Sequence, residues 1–239
     1  MVHESDSQHN NPSWSLEANG TDWIKSLAAD ARREVEMALQ RRNYADGQAI
    51  YCAGQRDGWS YRVVSGTVHI REIDSTGREF LVVGYGPGNC FGVMQVIDGG
   101  PYPQDAVAHG AVTLDCLSED SLDSLRKRWP EIDRALAVWA VRRLRELMAV
   151  LRDSVFLDLR RQLASRIDLL LEFVDDHGAS GQPLRLQLTH EMLAASVGAT
   201  RQAISAVLKD WAQAGIVHYH YGQFTVLNRE ALRAEARRA

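Results

Sequence analysis

The sequence predicts an α+β chain in three parts: an antiparallel β-roll of the double-stranded, jelly-roll kind, a long helix, and a C-terminal helix-turn-helix with a hairpin wing. Three observations carry this reading. Twelve of the 18 glycines fall between Gly47 and Gly110, where they separate short apolar runs. Apolar residues then recur at Val141, Leu144, Met148, Leu151 and Val155, in steps of three and four. Near the C-terminus two helix-compatible segments meet at Gly198 and are followed by two short alternating runs around Gly222.

The parts follow in order. Residues 1–21 are polar, with Asn10-Asn11-Pro12 and Gly20, and read as a mobile tail. Trp23, Leu27, Val35 and Leu39 suggest a first helix over Asp22 to Arg42. Within the roll, taken as 22–128, Tyr61 to Val64, Val68 to Ile73, Phe80 to Tyr85 and Val112 to Leu117 read as strands. Pro130 sits where a long helix can begin, and 129–157 is assigned to that helix and a hinge. Its apolar stripe is a two-heptad seam, suited to pairing two chains or, as the alternative, to packing on its own roll. Asp158 can cap a helix running to about Val174, and Asp175 to Pro183 reads as a loop. The winged module is placed at 158–230 and a tail at 231–239.

Composition narrows the function classes. With 27 Lys plus Arg against 31 Asp plus Glu and 45% apolar residues, the chain has ordinary globular composition. Its longest unbroken apolar run, Ala135 to Val141, is far short of the roughly 20 residues that span a bilayer. His3, Glu4 and Asp6 near the start do not resemble a secretion signal, so a cytoplasmic protein with no membrane partner is expected. Cys52, Cys90 and Cys116 are odd in number and widely spaced, which suits neither a disulfide framework nor a CxxC site. Residues 1–128 carry a net charge of −6 and residues 129–239 a net of +2, so the second half is where a polyanion would bind.

The C-terminal module gives that expectation a form. Thr189 can cap a helix containing Leu193 and Val197, Gly198 supplies the turn, and Thr200 can cap a second helix that Gly215 ends. At about 100° per residue, Ile204, Val207, Leu208 and Trp211 share one face of it, and Gln202, Ala206, Lys209 and Gln213 share the other. Arg201, in the first turn, is placed to donate two bonds to guanine O6 and N7. Gln202 suits adenine or phosphate, Ser205 a base or phosphate, and Lys209 backbone charge. Ile216 to Tyr221 and Phe224 to Leu227 then form the wing. A free face of Arg201, Gln202 and Lys209 favours DNA over a protein partner, for which apolar anchors would be expected.

At this point a family resemblance emerges. Tyr44-Ala45-Asp46-Gly47-Gln48-Ala49-Ile50, Val63-Val64-Ser65-Gly66-Thr67-Val68 and Gly86-Pro87-Gly88-Asn89-Cys90-Phe91-Gly92 resemble the effector domain of CRP/FNR-type transcription regulators. Phe156 to Ala164 resembles their hinge, Val197 to Ser205 their recognition helix, and Tyr221 to Leu227 their wing. The resemblance runs over about residues 22–230 in the family's order. It implies a double-stranded β-helix (jelly-roll) effector domain and a homodimer that binds a twofold-symmetric operator and acts on RNA polymerase. It places Thr189, Thr200, Arg201, Gln202, Ser205 and Lys209 at the DNA, and Val141, Leu144, Met148, Leu151 and Val155 at the dimer contact. Ala206 departs from the pattern, since well-studied members carry a second arginine there.

The resemblance also locates an effector pocket at Phe91, Gly92, Val93, Met94, Gln104, Asp105, Leu147 and Met148, and the residues in it depart from the cyclic-nucleotide pattern. Gly92-Val93 stands where such members have Gly-Glu for the ribose, and Gln104-Asp105 near their Arg-Ser or Arg-Thr phosphate pair. No Lys or Arg occurs between Arg78 and Arg126, which leaves a buried phosphate without a cation unless an arginine of the long helix or backbone amides substitute. Leu147 and Met148 replace hydroxyls that meet adenine in the cAMP-responsive relative. The expectation is therefore an unknown small-molecule effector other than cAMP, or none, with a cyclic nucleotide as the alternative. No cofactor is expected. Haem on His69, His109 or Cys52 is a lesser alternative, and an iron-sulfur cluster lacks a set of thiolates. His218 and His220 alternate onto one wing face, where they suit metal or DNA phosphate. A cupin-like metalloenzyme, the enzyme alternative, needs more ligands than His69 and His109, and no nucleophile elbow or phosphate loop is present, so no enzyme is expected.

Overall fold

The computed structural model describes residues 22–73, 79–174, 184–220 and 223–237. The expected tail over 1–21, the loop Asp175 to Pro183 and the hairpin turn Tyr221-Gly222 lie outside the described residues.

Two long strands organise the roll. β3 (Trp59–Ile73) and β6 (Asp105–Ser118) run antiparallel from Trp59↔Ser118 to Arg71↔Asp105. β1 (Gln40–Tyr44) and β2 (Ala49–Tyr51) pair with β6, while β4 (Glu79–Tyr85) and β5 (Cys90–Phe91) pair with β3. Side chains alternate across each strand, so Val63, Val68, Ile70, Ala106, Ala108 and Leu114 fill the interior. The runs Tyr61 to Val64 and Val68 to Ile73, expected as two strands, form one. The register shifts on either side of Ser65, and Gly66 beside it has a φ of 81°. A Cβ at Gly66 would lie 2.3 Å from the Ala111 carbonyl oxygen, so only glycine lets β3 bend here and remain paired.

The expected helix over Asp22 to Arg42 is divided. Asp22 Oδ1 accepts bonds from the Ile24 and Lys25 amides and starts a 3-10 turn, Ile24–Ser26. Leu27 is extended, and α1 (Ala29–Ala38) follows. The next residues exchange helical bonds for the β1–β6 ladder, where Arg41 reaches Asp115 at 3.0 Å. After α2 (Val93–Asp98), α3 (Glu119–Arg128) opens on Ser118, whose hydroxyl accepts from the Ser121 amide. Its acidic first turn and its last turn of Arg126, Lys127 and Arg128 complement the helix dipole.

Pro130 precedes α4 (Glu131–Phe156), which presents two unlike faces. Ile132, Leu136 and Trp139 are buried with Trp23, Ile24, Val35 and Leu122. Val141, Leu144, Met148, Leu151 and Val155 are exposed on the other face, Leu151 by 63%. The alternative that this seam packs on its own roll is thereby overturned, because five apolar side chains in a stripe reach solvent in the single chain.

Asp158 Oδ1 accepts from the Arg161 amide at the start of α5 (Leu159–Val174). The last module adds β7 (Leu184–Gln187), α6 (His190–Ser196), α7 (Arg201–Gln213), β8 (Val217–His220), β9 (Gln223–Val226) and α8 (Arg229–Ala236). Its sheet has the order β7-β9-β8. The expected tail from 231 is corrected over its first six residues: α8 takes up 231–236, held by fully buried Leu232 and by Arg233 on Asp168 at 2.9 Å. Leu81 of β4 is buried in this module's core, and Arg166 of α5 donates to the carbonyls of Leu81 and Val82. That contact joins the module to the roll directly.

Replacing Gly66 by alanine is expected to destabilise the protein by at least about 2 kcal/mol, from a strained positive φ plus the Ala111 clash. Urea unfolding measures it, and a Gly66→Ala chain as stable as the parent contradicts this account of β3.

Candidate nucleic-acid interface

The helix-turn-helix is built by its caps. Thr189 Oγ1 accepts from the Met192 amide at 3.1 Å, and Thr200 Oγ1 from the Ala203 amide at 3.2 Å. Between the helices Gly198 adopts a φ of 64°, and the Ala199 amide bonds back to the Ala194 carbonyl. Ile204, Leu208 and Trp211 turn inward and are buried. Trp211 Nε1 donates to Glu235 of α8 at 3.0 Å, and Arg160 of α5 closes on the same carboxylate. With that face fixed, Arg201, Gln202, Ala206, Lys209 and Gln213 are exposed. Thr189 and Thr200 are exposed at the two helix starts, and Ser205 is half-buried.

Two partners of this surface were not singled out from the sequence. Glu191 of α6 pairs with Arg201 at 3.0 Å, an exposed bridge worth at most about 1 kcal/mol and so easily exchanged for another acceptor. His190 lies 2.7 Å from Ser205 through Nδ1, with its ring against Tyr219. Both sit beside Thr189 in the first turn of α6, and only folding brings them to α7. In the wing, His218 is exposed opposite Thr225 and His220 pairs with Gln223.

The roll interior is packed with rings. Tyr51 stacks on Tyr102 at 3.7 Å, Tyr61 on Phe91 at 5.0 Å, and Tyr85 on Phe91 at 5.7 Å. The Tyr102 hydroxyl donates to Asp57 at 2.7 Å, and it lies 2.5 Å from the Trp59 carbonyl. Of the pocket candidates, Phe91 and Val93 are buried, and Gly92 presses on the Tyr61 ring with a φ of 68°. Asp105 takes the Ala53 amide at 2.7 Å, and Gln104 is half-buried. Met94, Leu147 and Met148 are not brought to that interior. All three are exposed, the last two on the seam side of α4. What α4 turns toward the roll instead is Arg143, 2.8 Å from largely buried Glu146 and interacting with Tyr85. Burial raises the Glu146 carboxyl, against the pull of Arg143 and Arg142.

Comparison with known proteins then decides the family. A cyclic nucleotide-binding domain matches residues 41–128 and a Crp-like helix-turn-helix domain residues 156–235. The cyclic AMP receptor protein of Thermus thermophilus is 33% identical over 84% of this chain and 90% of its own. A CRP-like cAMP-activated global transcriptional regulator of Mycobacterium tuberculosis is 30% identical over 83% of this chain and 89% of its own. The chain belongs to the CRP/FNR family of transcription regulators. Among solved structures, the Thermus thermophilus catabolite activator protein superposes with a TM-score of 0.52 at 29% identity, over 90% of this chain and 98% of that one. As a CRP/FNR protein the chain is a DNA-binding transcription regulator and not an enzyme, so the expected helix-turn-helix has DNA as its partner.

The remaining candidates are metal and haem ligands. Among the described residues no group of three or more His, Cys, Asp or Glu is placed to hold a metal ion, and no helix is long and apolar enough to cross a membrane. Cys52 is exposed, while Cys90 and Cys116 are free and buried. His69 and His109, on adjacent strands, stack on each other at 4.3 Å and 7°. Burial, then the charges of His109 and Arg71, drive His69 down to about 4.

This gives a prediction with a definite sign. Between about pH 6.5 and 4 the unfolded chain binds a proton at this site that the folded chain refuses, so stability is full above the window and falls as pH drops through it. His69→Gln is expected to remove up to about 3 kcal/mol of that loss. Thermal unfolding from pH 7 to 4.5 checks this, and parallel curves for the two proteins would contradict it.

Proposed function

We propose that this regulator is a homodimer that binds a twofold-symmetric operator with one α7 from each subunit and acts on RNA polymerase in the cytoplasm. The observation that carries the reading is the exposed polar face of α7 opposite buried Trp211. Arg201 reads guanine through two donors, Gln202 and Ser205 contact neighbouring positions, and Lys209, Thr189 and Thr200 meet the phosphate backbone. With Ala206 in the next turn, one base position is left without a long side chain to read it. The α4 seam of Val141, Leu144, Met148, Leu151 and Val155 supports pairing of two chains, which brings two reading heads to one duplex.

Control is by an effector other than cAMP, or the protein is active without one. The relatives named for cAMP give the contrary expectation, and the residues here argue against it. Stacked rings and aliphatic side chains pack the roll interior, and Arg143, the cation that α4 turns toward it, already faces Glu146. A phosphate would have to displace that carboxylate and tolerate Asp105 nearby.

Selection from a random duplex pool by the full chain, without added effector and at salt that suppresses phosphate-only binding, tests the reading. It is expected to converge on a twofold-symmetric site containing guanine. Arg201→Ala should then weaken that site by roughly 5- to 150-fold while the dimer stays folded, as expected for one bidentate contact. Unchanged affinity would remove Arg201 from the reading set. Leu151→Asp is expected to convert the dimer to monomer in sedimentation equilibrium, and a persistent dimer would place the interface elsewhere. Calorimetry with cAMP should show no saturable binding in the micromolar range, and a micromolar Kd would overturn the effector assignment.

A further inference from the structure

We propose that His190 is a specificity-determining positioning residue, which orients the Ser205 hydroxyl so that it donates to the DNA. The inference rests on the reading above that Ser205 faces the duplex. His190 opens α6, its Nδ1 lies 2.7 Å from Ser205 Oγ on α7, and its ring meets Tyr219 of β8 with centroids 4.3 Å apart. One imidazole thus ties together the first helix, the reading helix and the wing.

The second ring nitrogen selects the tautomer. Nε2 is buried and has no hydrogen-bond partner among the described residues. A neutral ring with its proton on Nε2 would bury an N–H with nothing to receive it. A ring with its proton on Nδ1 leaves only a lone pair at that place and gives its hydrogen to Ser205. The second arrangement is the lower in energy, because orphaned buried donors cost more than under-used acceptors. Protonating both nitrogens would recreate the orphaned donor, and burial, followed by the nearby charge of Arg201, accordingly lowers the pKa of this imidazole.

The consequence falls on Ser205. A free serine hydroxyl rotates and serves as donor or acceptor as its neighbour requires. Here one lone pair of Oγ is taken by the imidazole N–H, so the hydroxyl hydrogen points away from His190. That hydrogen suits an acceptor edge in the major groove, such as guanine O6 or N7 or thymine O4, better than the amino group of cytosine. His190 therefore acts through Ser205, and through its lean on Tyr219 it keeps the wing in register with the reading helix.

The test uses the full-length protein and the duplex that it selects, together with variants of that duplex changed one base pair at a time. Ser205→Ala is expected to lose about tenfold discrimination at one base pair, consistent with a single base contact. His190→Phe keeps an aromatic ring against Tyr219 but has no N–H. It should lose the same discrimination at the same base pair, and the double variant should be no worse than Ser205→Ala alone. His190→Asn, which restores a donor near the place of Nδ1, should recover most of the preference. If His190→Phe keeps the preference that Ser205→Ala abolishes, the inference fails while the base reading stands. If Ser205→Ala changes nothing, the reading of Ser205 fails and the inference with it. Nitrogen NMR shifts of His190 in the DNA-free protein give a readout independent of any operator. A proton on Nδ1 is expected, and a ring protonated on Nε2 overturns the inference even if a variant misfolds.

Discussion

The recognition surface depends on the burial of Trp211. A helix offers DNA a useful face only when its opposite face cannot roll, and here a large ring is fully buried with its one polar atom bonded to Glu235. Arg160 closes on the same carboxylate and bonds Asp210 at 3.2 Å, so α5, α7 and α8 meet at one charged cluster. Removing the carboxylate would leave an indole N–H and a guanidinium to find other partners. The exposed residues of α7 owe their common direction to this anchor, and its last member comes from a helix beyond the wing.

The roll uses the same logic with different chemistry. Asp115, buried on β6, receives Arg41 from β1 and Arg62 from β3 at 3.0 and 2.9 Å. Arg62 also lies within 4 Å of Asp22, which starts the N-terminal turn. The charges that shape this half of the chain are thus engaged in holding strands together. The interior combines rings with aliphatic side chains, and Tyr102 satisfies its hydroxyl at Asp57.

The sequence showed most where a local rule and the tertiary structure agree. Thr189, Gly198, Thr200 and Gly215 mark the helix-turn-helix because caps and turns depend on backbone geometry a few residues away. The seam of α4 was legible because a heptad stripe is periodic whether or not a partner is present. What failed was non-local. Gln40, Arg41 and Arg42 look helical until β6, more than 70 residues later, offers a ladder. β7 alternates only over Leu184-Arg185-Leu186-Gln187, too short a run to declare a strand, and its ladder comes from β9. Leu147 and Met148, which family position places at a pocket, lie exposed on the seam side, where the heptad stripe also places Met148, and the residues that α4 turns to the roll are Arg143 and Glu146. The His190–Ser205 bond spans two helices and could be read only from coordinates.

The length of α4 has a mechanical consequence. At about 1.5 Å per residue its 26 residues make a rod of about 39 Å, with the roll at one end and the hinge at the other. A pivot of about 5° at the roll end carries the far end through about 3.4 Å, which is the spacing of successive bases along a DNA strand. A tilt of this rod at the roll is thus enlarged toward the hinge in proportion to the length of helix beyond the pivot.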